Sequence, residues 1–110
     1  MIEIEAIVEN DGTLRSCKAE GHAGAGKTGN DIVCAAVSVL MRTAYSVLSG
    51  KDGITVSGAA PKKGAMRLEV DYTAGAKEFL FSAGVFLLEG LRSVAQEYPG
   101  NCRVNIKKMI

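Results

Sequence analysis

The sequence predicts an α+β fold: strand, strand, helix, strand, strand, helix, strand, in one mostly antiparallel or mixed sheet with two helices packed on one face. Three observations carry this. Five short stretches alternate apolar and polar residues with the period of two that a half-buried strand requires. Two longer stretches repeat apolar residues at helical spacing, beginning near Ile32 and Ala76. Turn signals separate them, at Asp11-Gly12, Gly50, Pro61 to Gly64 and Pro99-Gly100.

The elements follow in order. Ile2, Ile4, Ala6 and Val8 alternate with acidic residues, a strand with one buried face. Asn10 to Thr13 is a hairpin turn, and Leu14 to Gly21 returns with Cys17 and Ala19 on one face. The glycine-rich run of residues 23–29 is a loop, and Asn30 and Asp31 are good helix caps. From Ile32 to about Ser49, Val33, Val37, Leu40 and Ala44 mark a helix that Gly50 stops. Ile54, Val56 and Gly58 read as a short strand, with a turn over Pro61 to Gly64. Met66, Leu68, Val70 and Tyr72 make a clear fourth strand. A second helix covers about Ala76 to Tyr98. Its apolar surface, from Phe79 to Leu91, is wider than one sheet face needs and suits a partner subunit. Cys102, Val104 and Ile106 form the last strand.

A length of 110 residues fits one domain, 1–110. Hydrophobic residues at 47% and charged residues at 23% make disorder unlikely, and the net charge of +1 gives no reason to expect nucleic acid or a membrane surface as partner. Three cysteines with no C-x-x-C spacing, and one histidine, do not read as a disulfide framework or a zinc site. No metal and no cofactor are implied. The N-terminus lacks a signal-peptide pattern, and no apolar run approaches the ~18 residues of a membrane span, so the expected compartment is the cytoplasm.

Gly21 to Leu40 carries the chemistry. It contains the sole histidine, His22, and Cys34 twelve residues later, at the predicted start of a helix. In a first helical turn, free backbone amides and the helix dipole stabilise a thiolate, the nucleophile of a cysteine hydrolase. His22 is the candidate general base. Free cysteine is also common as a small buried hydrophobe, and a histidine at a strand end as a surface residue. Asp31 either caps the helix or orients His22. Ser38, one turn beyond Cys34, either supports the site or bonds to the preceding turn.

A competing pattern overlaps this one. Gly21 to Thr28 satisfies the phosphate-loop pattern G-x-x-x-x-G-K-[ST]. Two arguments oppose it. A phosphate-loop helix begins at the lysine and threonine, whereas Gly29, Asn30 and Asp31 interrupt there. Such loops also follow strands of a large parallel sheet, and these strands read largely as hairpins. A non-catalytic, ribosome-associated dimeric module is a third reading that composition does not exclude.

At Gly21-His22-Ala23, Gly29 and Asp31-Ile32-Val33-Cys34-Ala35-Ala36 with Ser38, the sequence resembles the ribosomal-processing cysteine proteases called Prp. The resemblance extends over nearly the whole chain. It implies a cysteine endopeptidase and a similar α+β homodimer. His22 and Cys34 match the catalytic pair, with Asp31 at a position of less settled role. The implied substrate is the precursor of large-subunit ribosomal protein number twenty-seven, whose short N-terminal extension is removed. The resemblance further implies a loop that moves on substrate binding, which Gly24, Gly26 and Gly29 suit. The loop here, with Lys27-Thr28, is unusually small and basic for the family.

Overall fold

Alternation at the N-terminus does form a strand, β1 (Ile2–Val8), and the Asp-Gly turn returns it as β2 (Leu14–Glu20). The turn is held by Asp11, whose carboxylate accepts hydrogen bonds from the Thr13 amide and hydroxyl at 2.9 and 2.7 Å. Gly12 follows at φ +96°, a conformation that glycine adopts without penalty. Register slips between Ile7 and Val8, where Val8 faces Leu14 but Ile7 faces Ser16. This bulge explains how Leu14 and Cys17, three apart, both reach the core.

The other elements are α1 (Thr28–Ser49), β3 (Ile54–Lys62), β4 (Ala65–Tyr72), α2 (Lys77–Glu97) and β5 (Cys102–Lys108), with a 3-10 turn at Ala74–Ala76 leading into α2. They belong to a computed structural model that describes residues 1–21, 28–62 and 65–110, side chains at 28–31 and 60–62 excepted. Spatial order in the sheet is β3-β4-β2-β1-β5. All neighbouring pairs are antiparallel except β1 and β5, which run parallel in register from Ile2 with Cys102 to Val8 with Lys108. The sheet is therefore mixed, as expected.

Topology dictates where the helices lie. β2 and β3 are both antiparallel to β4, so α1 connects two parallel strands. By the same reasoning, α2 connects β4 to the parallel β5. The two crossovers start on antiparallel strands and travel in opposite directions, so the right-handed rule puts both helices on one face. α1 covers β3 and β4, α2 covers β2 and β5, and the helices touch each other. Between helices and sheet lie Ile4, Leu14, Cys17, Leu68, Val33, Met41, Leu48, Leu80, Leu87 and Leu91, all at most 2% exposed. Gly84 lets α2 approach β2, since a Cβ there would lie 2.9 Å from the Leu14 Cβ.

The opposite face is charged. Arg103 pairs with Glu3, and Lys107 with Glu5 at 3.2 Å, across the parallel β1–β5 ladder. At one end, Glu9 accepts from the Tyr72 hydroxyl at 2.6 Å, and Lys77 bridges Glu9 and Asp11 at 3.3 and 2.8 Å. These bonds hold both carboxyls below their usual range: Tyr72 is the largest cause at Glu9, and Lys77 at Asp11.

Three expectations need correction. α1 starts at Thr28, four residues before Ile32, so Asn30 and Asp31 are helical rather than caps. Pro61 and Lys62 extend β3 instead of forming the turn, which an edge strand tolerates because the missing proline amide has no neighbour to bond. Ile32–Ser49 is an 18-residue stretch apolar enough, by length and composition, to cross a membrane. Val33, Val37, Met41 and Leu48 of that stretch are in the core against the sheet.

Candidate active site

Cys34 is the seventh residue of α1, in its second turn. At about 1.5 Å rise per residue, it sits ~9 Å along the axis from Thr28. The first four amides of a helix are the ones without an internal partner, and dipole effects fall off within the first turn. The Cys34 amide is inside the ladder. The free helix-start amides that the sequence reading set beside Cys34 therefore lie a turn away from it. What distinguishes Cys34 is exposure. Cys17 and Cys102 are buried, at 0% and 2%, while Cys34 is half-buried beside the core. Burial pushes the Cys17 thiol up to about 12 and raises that of Cys102. Both are poor nucleophiles at neutral pH.

This difference makes a prediction. Iodoacetamide at neutral pH should modify the folded protein once, at Cys34, with Cys17 and Cys102 reacting only after denaturation. Peptide mapping of the labelled protein gives the answer, and fast modification of Cys17 would contradict the assignment of exposure.

Ser38 is half-buried one turn beyond Cys34, and its carbonyl accepts from the Arg42 Nε at 3.3 Å. The other members of the predicted constellation are placed only in part. His22, Gly24 and Gly26 lie outside the described residues. Gly29 and Asp31 belong to α1 by backbone, and the Asp31 side chain lies outside the description. Just before His22, Gly21 has φ +144°, and a Cβ there would lie 2.2 Å from the Met1 carbonyl oxygen. The glycine that opens the Gly-His pair is thus required by contact with the N-terminal backbone.

The phosphate-loop reading is altered by these findings. Its first objection fails, because a helix does begin at Thr28. Its second holds: β2, which leads into the loop, is antiparallel to both neighbours, β1 and β4. A phosphate loop follows a strand of a parallel sheet.

One feature escaped the sequence reading. A cleft lies between α1 and strands β3 and β4, lined by Met41, Arg42, Tyr45, Gly58, Met66 and Leu68 among others. The signal was present as spacing. Ser38, Met41, Arg42 and Tyr45 are four, seven, eight and eleven residues beyond Cys34, which puts them on its flank of the helix.

Residues 1–103 match the family described as cysteine protease Prp. The chain belongs to that family. Its activity class is accordingly that of a cysteine protease. Among curated proteins none matches. Among solved structures, a Streptococcus mutans protein superposes with a TM-score of 0.85 at 31% identity, over 99% of this chain and 96% of the other. Two structures of the essential ribosomal processing protease Prp from S. aureus share the fold. The complex with a substrate peptide has a TM-score of 0.82 at 22% identity, over 97% of this chain and 100% of the other. The complex with a covalently linked product peptide has 0.81 at 24% identity, with the same coverage.

Proposed function

We propose that this protein is an endopeptidase that removes the N-terminal extension of a ribosomal protein precursor, that of large-subunit protein number twenty-seven. Cys34 is the nucleophile and His22 the general base. The observation that carries this is the half-exposed Cys34 on α1, in a member of the cysteine protease Prp family whose other two thiols are buried. The S. aureus proteins of the same fold, crystallised as ribosomal processing proteases with substrate and product peptides, support the choice of substrate.

The steps follow from the chemistry. His22 takes the Cys34 proton, and the thiolate attacks the scissile carbonyl carbon to give a tetrahedral oxyanion. The C–N bond then breaks, the imidazolium proton goes to the leaving amine, and an acyl thioester remains on Cys34. His22 next deprotonates a water molecule, whose attack releases the carboxylate and restores the thiol. Helix geometry commits the Cys34 amide to the carbonyl four residues earlier, so the oxyanion's donors are other groups. Asp31 and Ser38 are supporting positions; Gly24 and Gly26 are assigned to the substrate side of the site, whereas Gly29, expected in the same loop, belongs to α1. The reaction requires no metal or cofactor, and the cytoplasm, where ribosomes assemble, is its site.

The test is direct. Purified protein is incubated with the precursor, and masses are read at intervals. One new mass, shorter by the extension, is expected. An intact precursor after many hours, with its extension present, would overturn the substrate assignment.

A homodimer is part of this reading. Phe86 is 75% exposed on α2, and Phe79, Val85, Val39 and Val47 are exposed large apolar side chains on the same two helices. Surfaces of this kind ordinarily mark a partner site. Sedimentation should show a dimer for the native chain and a folded monomer for Phe86→Glu. A native chain that sediments as a monomer at micromolar concentration would remove the dimer.

A further inference from the structure

The turn between α2 and β5 meets the start of β1 and the end of β2 at the end of the molecule where the Gly-His pair begins. We infer that Asn101, in that turn, is the positioning residue of His22, its side-chain carbonyl accepting the imidazole N–H that does not serve Cys34. The inference rests on the reading of His22 as general base.

Backbone contacts place Asn101 beside Gly21. The Asn101 carbonyl accepts from the Ile2 amide at 2.8 Å. A Cβ on Gly21 would lie 2.8 Å from the Ile2 Cα and 2.2 Å from the Met1 carbonyl oxygen. The Ile2 nitrogen and Cα are bonded to each other, so the Asn101 carbonyl oxygen is at most ~7 Å from that Cβ position. His22 is the next residue, one Cα–Cα step of about 3.8 Å beyond Gly21. A gap of this size is one that an asparagine amide and an imidazole close between them. The turn is also fixed. The Asn101 and Cys102 amides both donate to the Tyr98 carbonyl, at 2.9 and 3.0 Å, and the Tyr98 amide donates to Val94 at 2.9 Å. Ile2 and Cys102, which face each other across the ladder, are buried in the core. Asn101 itself is half-buried and has an interaction beyond these main-chain bonds.

Helix packing brings Cys34 to the same end. Lys51, just past α1, lies over the Phe79 ring near the start of α2, 5.1 Å from its centre. Leu40 of α1 meets Gly90 of α2, where a Cβ would lie 2.9 Å from the leucine Cδ2. The two helices therefore run antiparallel. Six residues back from Leu40 to Cys34 match six residues on from Gly90 to Gln96, two before Tyr98. The nucleophile, the strand end that leads into His22, and the Asn101 turn thus share one end of the fold. Chemistry agrees. The hydrogen bond made by one imidazole nitrogen decides which tautomer the other presents. A neutral amide sets the tautomer without adding a charge. A carboxylate beside the ring favours the imidazolium, and one beside Cys34 opposes the thiolate. Asp31 is three residues before Cys34 on α1, so helix spacing puts it on the side of the thiol. Where a cysteine replaces serine in a catalytic triad, the third member can be an asparagine.

The test uses the full chain as wild type, Asn101→Ala, Asn101→Asp and Asp31→Asn. His22 is the sole histidine, so its ring gives one set of imidazole NMR signals. The main-chain bonds of Asn101 survive either substitution, and Tm should stay within about 5 °C of wild type. In Asn101→Ala, the ring-nitrogen shifts should move toward those of a free histidine. Its kcat on the precursor should fall about 10- to 100-fold, with KM within about threefold. In Asn101→Asp, a carboxylate takes the place of the amide and accepts the same N–H. The imidazole pKa should rise by about one unit, carrying the acid limb of the kcat profile up with it, and kcat at its own optimum should recover to within about 10-fold of wild type. Glu3, Glu20 and Arg103 on the adjoining strands, and Asp31 and Cys34 on α1, are common to wild type and both Asn101 variants, so the shift reports position 101. Should the alanine variant not fold, the near-isosteric aspartate carries the test alone. Wild-type imidazole shifts in Asn101→Ala, or an unmoved imidazole pKa in Asn101→Asp, would overturn the assignment. Imidazole shifts altered by Asp31→Asn alone would overturn it in favour of Asp31. A His22→Ala protein that cuts near the wild-type rate would instead overturn the reading beneath it, and the NMR signals separate the two failures.

Discussion

Replacing Cys34 by alanine should abolish cleavage of the precursor and leave the protein folded. The expected fall in kcat is about four to six orders of magnitude, the scale seen when the nucleophile of a covalent protease is removed. The stability cost is small because Cys34 is half-buried and alanine suits a helix interior. About 1 kcal/mol or less is expected, a shift of a few degrees in Tm. The pairing of a dead enzyme with a near-native melt is the informative result. His22→Ala should lose about two to four orders of magnitude, the range for a positioned general base. The double variant should be little worse than Cys34→Ala alone, because residues that act as one unit are not additive. A Cys34→Ala protein that still cuts, with a rate proportional to its own concentration, would remove the thioester mechanism. A His22→Ala protein near the wild-type rate would remove only the base.

Much of the fold was legible because its signals are local. Period-two alternation in Ile2 to Val8 and Met66 to Tyr72 places one face of each strand in the core, and the burial pattern follows it. The excess apolar surface of the second helix was equally visible, and Phe86 does remain outside the core. Strand order was not legible. Pairing of β1 with β5 joins residues a hundred positions apart, and no local pattern announces a parallel partner. Helix α1 was cut short in the reading because Gly29, Asn30 and Asp31 are weak helix formers and good caps. Their local preference yields where the chain continues helical from Thr28. The strand bound at Pro61 was missed for a related reason: proline reads as a turn unless the strand is known to lie at an edge.

At the site, residue types carried the reading further than geometry did. Cys34 could be singled out from its place near a sole histidine, and its partial exposure separates it from the other two thiols. The supposed advantage of the first helical turn did not hold, because that inference depended on the misplaced helix start. The cleft by Tyr45 went unseen for another reason. Met41 and Tyr45 look like ordinary stripe residues until β3 and β4 are known to pass beneath them and Gly58 is known to leave the ring room.

Gly21→Ala should damage both stability and catalysis. At φ +144° a side chain is strained, and its Cβ would lie 2.2 Å from the Met1 carbonyl oxygen and 2.8 Å from the Ile2 Cα. Both obstacles are backbone, which cannot swing aside as a long side chain does. Strain of this kind costs about 1–3 kcal/mol, and forced displacement of packed backbone adds a similar amount. A loss of about 2–5 kcal/mol is expected, a fall of roughly 10 °C or more in Tm. The displacement falls between the start of β1 and the end of β2, one residue before His22. A catalytic group moved by about 1 Å can cost ~100-fold in rate. Assayed well below its melting temperature, the variant should therefore cleave far more slowly than its folded fraction allows, while iodoacetamide still labels Cys34 at about the native rate. Slow cleavage with native labelling places the damage at the histidine side of the pair. Loss of both together would mean that the substitution had disturbed α1 as well, and native Tm with native activity would show that the contact with Met1 is not a constraint.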